Sequence, residues 1–183
     1  DDWEDMSLQL LISNSNGESI NSTVTTNNWN ALDNGYFYFL VKFRPGAAME
    51  NGGTAVKANI VVDSYQGSTP LDVIGFNYKR DIYGEWTGNA VDDYVNSSHQ
   101  FTANRSSYTT YFRLSASEPV SFGFKCVITS EDGTHTKESS YRYVRFEDGY
   151  AMFTQTESNI HDIPVPSTEA PSVEPTTEET SVE

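Results

Sequence analysis

Apolar side chains recur at every second position over much of this chain. Phe37, Phe39, Val41 and Phe43 share one face of Gly35–Arg44; Val56, Ala58, Ile60 and Val62 do the same in Ala55–Ser64; and Val120, Phe122, Phe124, Cys126 and Ile128 form the longest such stripe. Side chains alternate across a strand, so this period of two predicts strands with one buried and one solvated face. Met6–Ile12 is a short apolar run, and Asp72–Lys79, His99–Ala103, Tyr108–Leu114, Thr136–Phe146 and Tyr150–Thr154 continue the pattern. Ile20–Thr25 and Ala90–Val95 are weaker candidates. The count is roughly nine to eleven strands, and no window of 11 residues keeps a helical apolar stripe.

Turn chemistry falls where the alternation pauses. Asp33-Asn34-Gly35, Asn51-Gly52-Gly53, Gln66-Gly67-Ser68, Glu131-Asp132-Gly133-Thr134 and Glu147-Asp148-Gly149 supply the residues that tolerate positive φ in tight connections. The firmest hairpin joins Val120–Thr129 to Thr136–Phe146 around Asp132-Gly133. Many short strands, each with a single apolar face, predict an all-β fold: an antiparallel β-sandwich, jelly-roll or Ig-like. No internal repeat of constant period is present.

The composition changes at Pro164. Residues 164–183 hold four of the seven prolines and five glutamates, with no aromatic residue. Such a segment buries too little apolar surface to offset its ordering entropy, so the expected organisation is a sandwich domain over 1–163 and a disordered Pro/Ser/Thr/Glu-rich linker over 164–183. The whole chain of 183 residues carries 26 acids and 11 bases, a formal charge of −15. Setting aside the five linker glutamates leaves 21 acids against 11 bases, so the body is acidic too. That balance argues against nucleic acid, whose binding rests on clustered Lys and Arg. No apolar run reaches the roughly 20 residues of a spanning helix, so no membrane insertion is expected.

Cys126 is the one cysteine, which excludes an internal disulfide, and its place in an apolar stripe predicts a small buried hydrophobe. Three Asn-x-Ser/Thr sequons begin at Asn21, Asn96 and Asn104. The chain lacks a Gly-rich phosphate loop, His-Glu-x-x-His, Gly-x-Ser-x-Gly and an EF-hand pattern, and His99, His135 and His161 are far apart in sequence. The expectation is a domain with no catalytic group, cofactor or metal site.

The candidate chemistry lies in the least strand-like stretch, Phe76–Gln100. Trp86 sits between Gly84-Glu85 and Thr87-Gly88, and Trp29 follows Thr25-Thr26-Asn27-Asn28. Neither has the apolar neighbours of a core residue. An exposed flat ring can stack on the C–H face of a pyranose while nearby polar groups read its hydroxyls. Trp29, Tyr83, Trp86 and Tyr94, with Lys79, Arg80, Asp81, Glu85 and Asn89, form the predicted ligand-binding set. The carboxylate pairs Asp81 with Glu85, or Asp92 with Asp93, have the residue types of a glycoside hydrolase, although their spacing is not diagnostic. Asp92 and Asp93 with loop carbonyls would also suit Ca²⁺, but solvated turn carboxylates are the simpler reading.

With its β-rich body and the Glu169-Ala170-Pro171-Ser172-Val173-Glu174-Pro175 linker, the chain resembles carbohydrate-binding modules of secreted polysaccharide-degrading proteins, of the amylosome and cellulosome type, in Gram-positive gut bacteria. The resemblance implies a non-catalytic module, secreted or attached to the cell surface, covalently joined to neighbouring modules and binding a polysaccharide or oligosaccharide. Loop placement of both tryptophans favours a curved, starch-type α-glucan. Tyr36-Tyr38 and Tyr141-Tyr143 are period-two pairs that could instead form a flat strip. The rival readings are an Ig-like structural or adhesive spacer domain of a cell-surface protein and, third, a glycoside hydrolase.

Overall fold

The computed structural model describes residues 2–19, 29–80 and 84–154. The expected strand at Ile20–Thr25, the Asn21 sequon, His161, Asp81, Tyr83 and the linker 164–183 lie outside the described residues.

Two antiparallel sheets pack face to face, as the alternation requires. In chain order the strands are β1 (Ser7–Ser13), β2 (Trp29–Ala31), β3 (Phe37–Arg44), β4 (Thr54–Gly67), β5 (Ile74–Lys79), β6 (Gly88–Asn89), β7 (His99–Ala103), β8 (Tyr108–Ala116), β9 (Val120–Ser130), β10 (Thr136–Glu138), β11 (Arg142–Glu147) and β12 (Tyr150–Thr154). One sheet has the order β1-β3-β8-β5-β6; the other runs β2-β12-β11-β9-β4-β7, with β10 also pairing β9. The connections from β3 to β4 to β5, and from β6 to β7 to β8 to β9, all cross between sheets. The connections from β5 to β6 and from β9 through β12 stay within one sheet, so the β-sandwich combines crossing and hairpin connections.

Aromatic side chains fill the space between the sheets. Phe39 stacks on Phe112 of the neighbouring strand at 4.9 Å between centroids and meets Phe124 of the opposite sheet at 5.1 Å. Phe37 joins Phe153 and Phe146 at 5.7 and 6.2 Å. Cys126 is buried among them as expected, and burial pushes its thiol up to about 12, which keeps it protonated and unreactive.

Three local readings are corrected. The Thr136–Phe146 strand is broken at Ser139, where five residues from Glu138 to Arg142 oppose four from Val127 to Phe124, a bulge in the pairing along β9. Ser139 Oγ accepts the Cys126 amide at 2.9 Å there. Asp72 and Val73 belong to a helical turn, Pro70–Val73, begun by a proline that suits a first helical position. Ala90–Val95 is not a strand: Val91–Val95 forms a π-helical turn that carries Tyr94 inward. Near the start of the described residues, Trp3 stacks on His135 at 5.5 Å.

The β9–β10 turn is held by one carboxylate. Asp132 accepts the amide and hydroxyl of Thr134 at 3.0 and 2.7 Å and the Ser130 hydroxyl at 2.7 Å, which lowers its pKa from 3.8 to about 2. Because the folded value is depressed, the turn gains stability from the charged form above the ordinary carboxylate range and loses it as pH falls through about 2. Carboxyl NMR is expected to give Asp132 a midpoint near 2; a midpoint near 3.8 would show that these bonds do not form in solution.

Candidate functional site

Phe37, Phe39, Phe112, Leu114 and Phe76 face the core, so the residues between them on β3, β8 and β5 face outward. Register places Asn77 beside Arg113 and Arg113 beside Tyr38, a row across the outer face of the five-stranded sheet. The Arg113 guanidinium stands 4.1 Å from the Tyr36 ring centroid and 4.9 Å from that of Trp86, and its Nε donates to Asn77 Oδ1 at 3.4 Å. The Lys79 ammonium is 4.5 Å from the Trp86 centroid. Tyr38 lies 5.9 Å from Trp86 and 6.1 Å from Tyr36.

The sheet's solvent side thus carries three aromatic rings and two cations. Trp86 is half-buried, and Tyr38 is only 6% exposed although it faces outward. Burial first, then the Asp33 charge, raises the Tyr38 pKa, while Arg113 opposes the rise.

Glycine allows the Trp86 segment to return to the sheet. β6 pairs with β5, bringing Gly88 opposite Tyr78, and a Cβ on Gly88 would lie 2.1 Å from a Tyr78 ring carbon. The Tyr78 hydroxyl donates to Asp93 at 2.6 Å; burial, then that bond, pushes its pKa up to about 12. Asn89 accepts the Val91 amide at 3.1 Å and donates to Asp92 at 3.0 Å. Asp92 and Asp93 therefore turn to different partners, and no group of three metal-ligating side chains occurs among the described residues.

The predicted set is only partly brought together. Lys79 and Trp86 meet; Glu85 is exposed on the same segment; Asn89 serves the turn that follows. Arg80 lies beyond the end of β5, at the mouth of an inter-sheet cavity. Tyr94 is not a surface platform: it is 4% exposed, stacked on His99 at 4.9 Å and edge-on to Tyr78 and Phe112 at 4.9 and 5.3 Å. The π-helical turn drives it into the core, which raises its pKa chiefly by burial.

Trp29 is on the other sheet. It pairs with Met152 on an edge strand, with Arg145 5.2 Å from its ring, and its buried Nε1 has no hydrogen-bond partner among the described residues. Ala151 and Phe153 point inward, so Met152 and Trp29 occupy the outer face of the second sheet. The outer faces of two packed sheets point in opposite directions, so Trp29 and Trp86 cannot form one cradle. Trp29 shares its face with Tyr141 and Tyr143, whose rings are 5.1 Å apart and lie over Gly123, where a Cβ would come within 2.3 Å of Tyr141.

No family model matches the chain, and no curated protein matches it. Among solved structures, the major pilin subunit of Bacillus cereus is similar at 14% identity and a TM-score of 0.33, over 75% of this chain and 39% of the pilin chain. The chain spans well under half the length of that pilin, and so distant a likeness bears on neither site nor function. The resemblance to carbohydrate-binding modules gains no support from these comparisons.

Proposed function

We propose that this chain is a non-catalytic β-sandwich module of a secreted or cell-surface protein, acting as a structural or adhesive domain joined to other modules. The observation that supports it is the state of the two indoles predicted to stack on sugar. Trp86 is faced by Lys79, Arg113 and Tyr38, and Trp29 by Arg145. Cation–π contacts of this kind contribute about 0.5–1 kcal/mol each at exposed sites, and a ligand would have to displace or rearrange them. The rings fasten an edge strand and a returning segment to their sheets.

A second reading, polysaccharide binding, is favoured by the composition of the outer face itself. Tyr36, Tyr38 and Trp86 with Lys79, Arg113 and Asn77 combine rings with hydrogen-bond donors, the chemistry of a glycan subsite. The two readings differ in what Trp86→Ala does. A fastening role predicts a loss of about 1–2 kcal/mol in stability, from the packing and cation contacts removed. Wild-type protein should then stay in the supernatant of insoluble starch, cellulose and xylan. Retention on any of the three, abolished by Trp86→Ala at unchanged melting temperature, would replace the structural reading with the glycan one.

A further inference from the structure

β3 and β8 pair from Phe43↔Tyr108 onward, whereas β5 pairs with β8 only as far as Lys79↔Tyr111. Residues Tyr108–Thr110 therefore have no β5 partner on that side. Across the sandwich from this gap runs β7, an edge strand of the second sheet. Between them opens a cavity of about 630 Å³ that reaches Val41, Ala58, Phe112, Cys126 and Ile128 in the core. Its volume falls in the range of about 300–1,000 Å³ typical of pockets that enclose small ligands.

The walls and the mouth differ in chemistry. The buried part of the lining, with Val41, Phe43, Ala58, Phe112 and Ile128, is aromatic and aliphatic; the exposed part carries Gln100, Thr102, Asn104 and Ser107 beside Arg80 and Arg105, with the Arg105 guanidinium 5.8 Å from the ring of Tyr108. No described carboxylate lines the cavity, although the chain has 26 acids and 11 bases. His99 also lines it, and burial and then Arg80 lower its pKa while Asp93 opposes them, so the imidazole is neutral at pH 7. Asp93 is turned aside by its bond from Tyr78. An apolar chain would gain dispersion contacts along the buried part of the lining, where a polar ligand would lose hydration without replacement partners.

We infer that the inter-sheet cavity binds an amphiphile with an apolar chain and an anionic head, a long-chain carboxylate, whose chain lies against Phe112 and Ile128 and whose head meets Arg80 and Arg105. This site is separate from the outer-face rings, and its occupancy does not depend on the structural reading above.

Dodecanoate, titrated below its micellar concentration and followed by calorimetry and methyl NMR, tests the assignment. Saturable one-to-one binding that shifts the methyls of Val41, Ala58 and Ile128 is expected, with affinity falling roughly tenfold in Arg80→Ala/Arg105→Ala, as for loss of a charge-assisted hydrogen bond. Uncharged 1-dodecanol should bind the wild type about as weakly as dodecanoate binds the double variant. Ala58→Leu, which narrows the cavity, should abolish binding at a retained melting temperature; the arginine variant, altered only at the exposed rim, supplies the test should that core change unfold the protein. Absence of saturable binding, equal affinity in the arginine variant, or shifts confined to residues around Trp86 would each overturn the site.

Discussion

Phe39→Ala is expected to remove about 3–5 kcal/mol of folding stability, the range for a fully buried phenylalanine. Phe39 has no exposed surface, stacks on Phe112 within its own sheet, tilts against Phe76 at 6.1 Å and bridges to Phe124 of the opposite sheet. Those neighbours are held by backbone pairing on three different strands, β5, β8 and β9, so they cannot readily collapse into the space left behind. Against a total stability of about 5–15 kcal/mol, such a loss removes a large share of the folded population's margin. Chemical denaturation of both proteins, with the slope unchanged, measures it directly. A loss below about 1 kcal/mol would mean that the sheets do not meet at this residue.

The strands that bury one face were legible because burial itself imposes the period of two. The apolar stripes of Val120–Thr129 and Gly35–Arg44 follow that rule, and β9 and β3 occupy those segments, with the outward Ser121, Tyr38 and Leu40 covered as well. The misread segments are those where another constraint overrides the pattern. Val91 and Tyr94 look like alternating strand residues with a slip, but a π-helical turn directs Tyr94 inward. Ser139 interrupts a strand without any glycine or proline because its hydroxyl takes over a backbone amide. β2 and β6 are too short and too polar to show a pattern at all.

The site was half legible for a different reason. Polar neighbours along the chain marked Trp86 as noncore, and it does lie outside the core. Its actual surroundings, Tyr38 and Arg113, come from β3 and β8 and depend on strand register, which a single sequence does not specify. Arg113 occupied the polar phase of an amphipathic strand and offered no other signal. Tyr36 and Tyr38 were visible as a pair, but not as partners of the indole. Tyr94 failed by the same logic in reverse: its Asp92-Asp93 neighbours suggested a surface, while the turn buried it.

Gly88→Ala carries the second large effect, because one methyl group tests the whole return of the Trp86 segment. The added Cβ would meet three Tyr78 ring carbons at 2.1 to 2.5 Å, and that ring has little freedom to yield. Its hydroxyl is bonded to Asp93, its edge is set against Tyr94 at 4.9 Å, and its backbone is paired in β5. Either Tyr78 leaves its rotamer and disturbs Tyr94, or β6 detaches from β5 and carries Trp86 away from Lys79. Overpacking of this kind costs about 1–3 kcal/mol. Gly52→Ala is the control: its Cβ would meet nothing within 4 Å, and a change within about 0.5 kcal/mol is expected. If the β6 pairing is the weaker link, Gly88→Ala should also move Trp86 fluorescence towards a solvated emission, whereas a shifted Tyr78 alone should leave it in place. Wild-type stability and emission in Gly88→Ala would show that the segment does not lie on the Tyr78 ring, and the cation contacts to Trp86 would lose their structural basis.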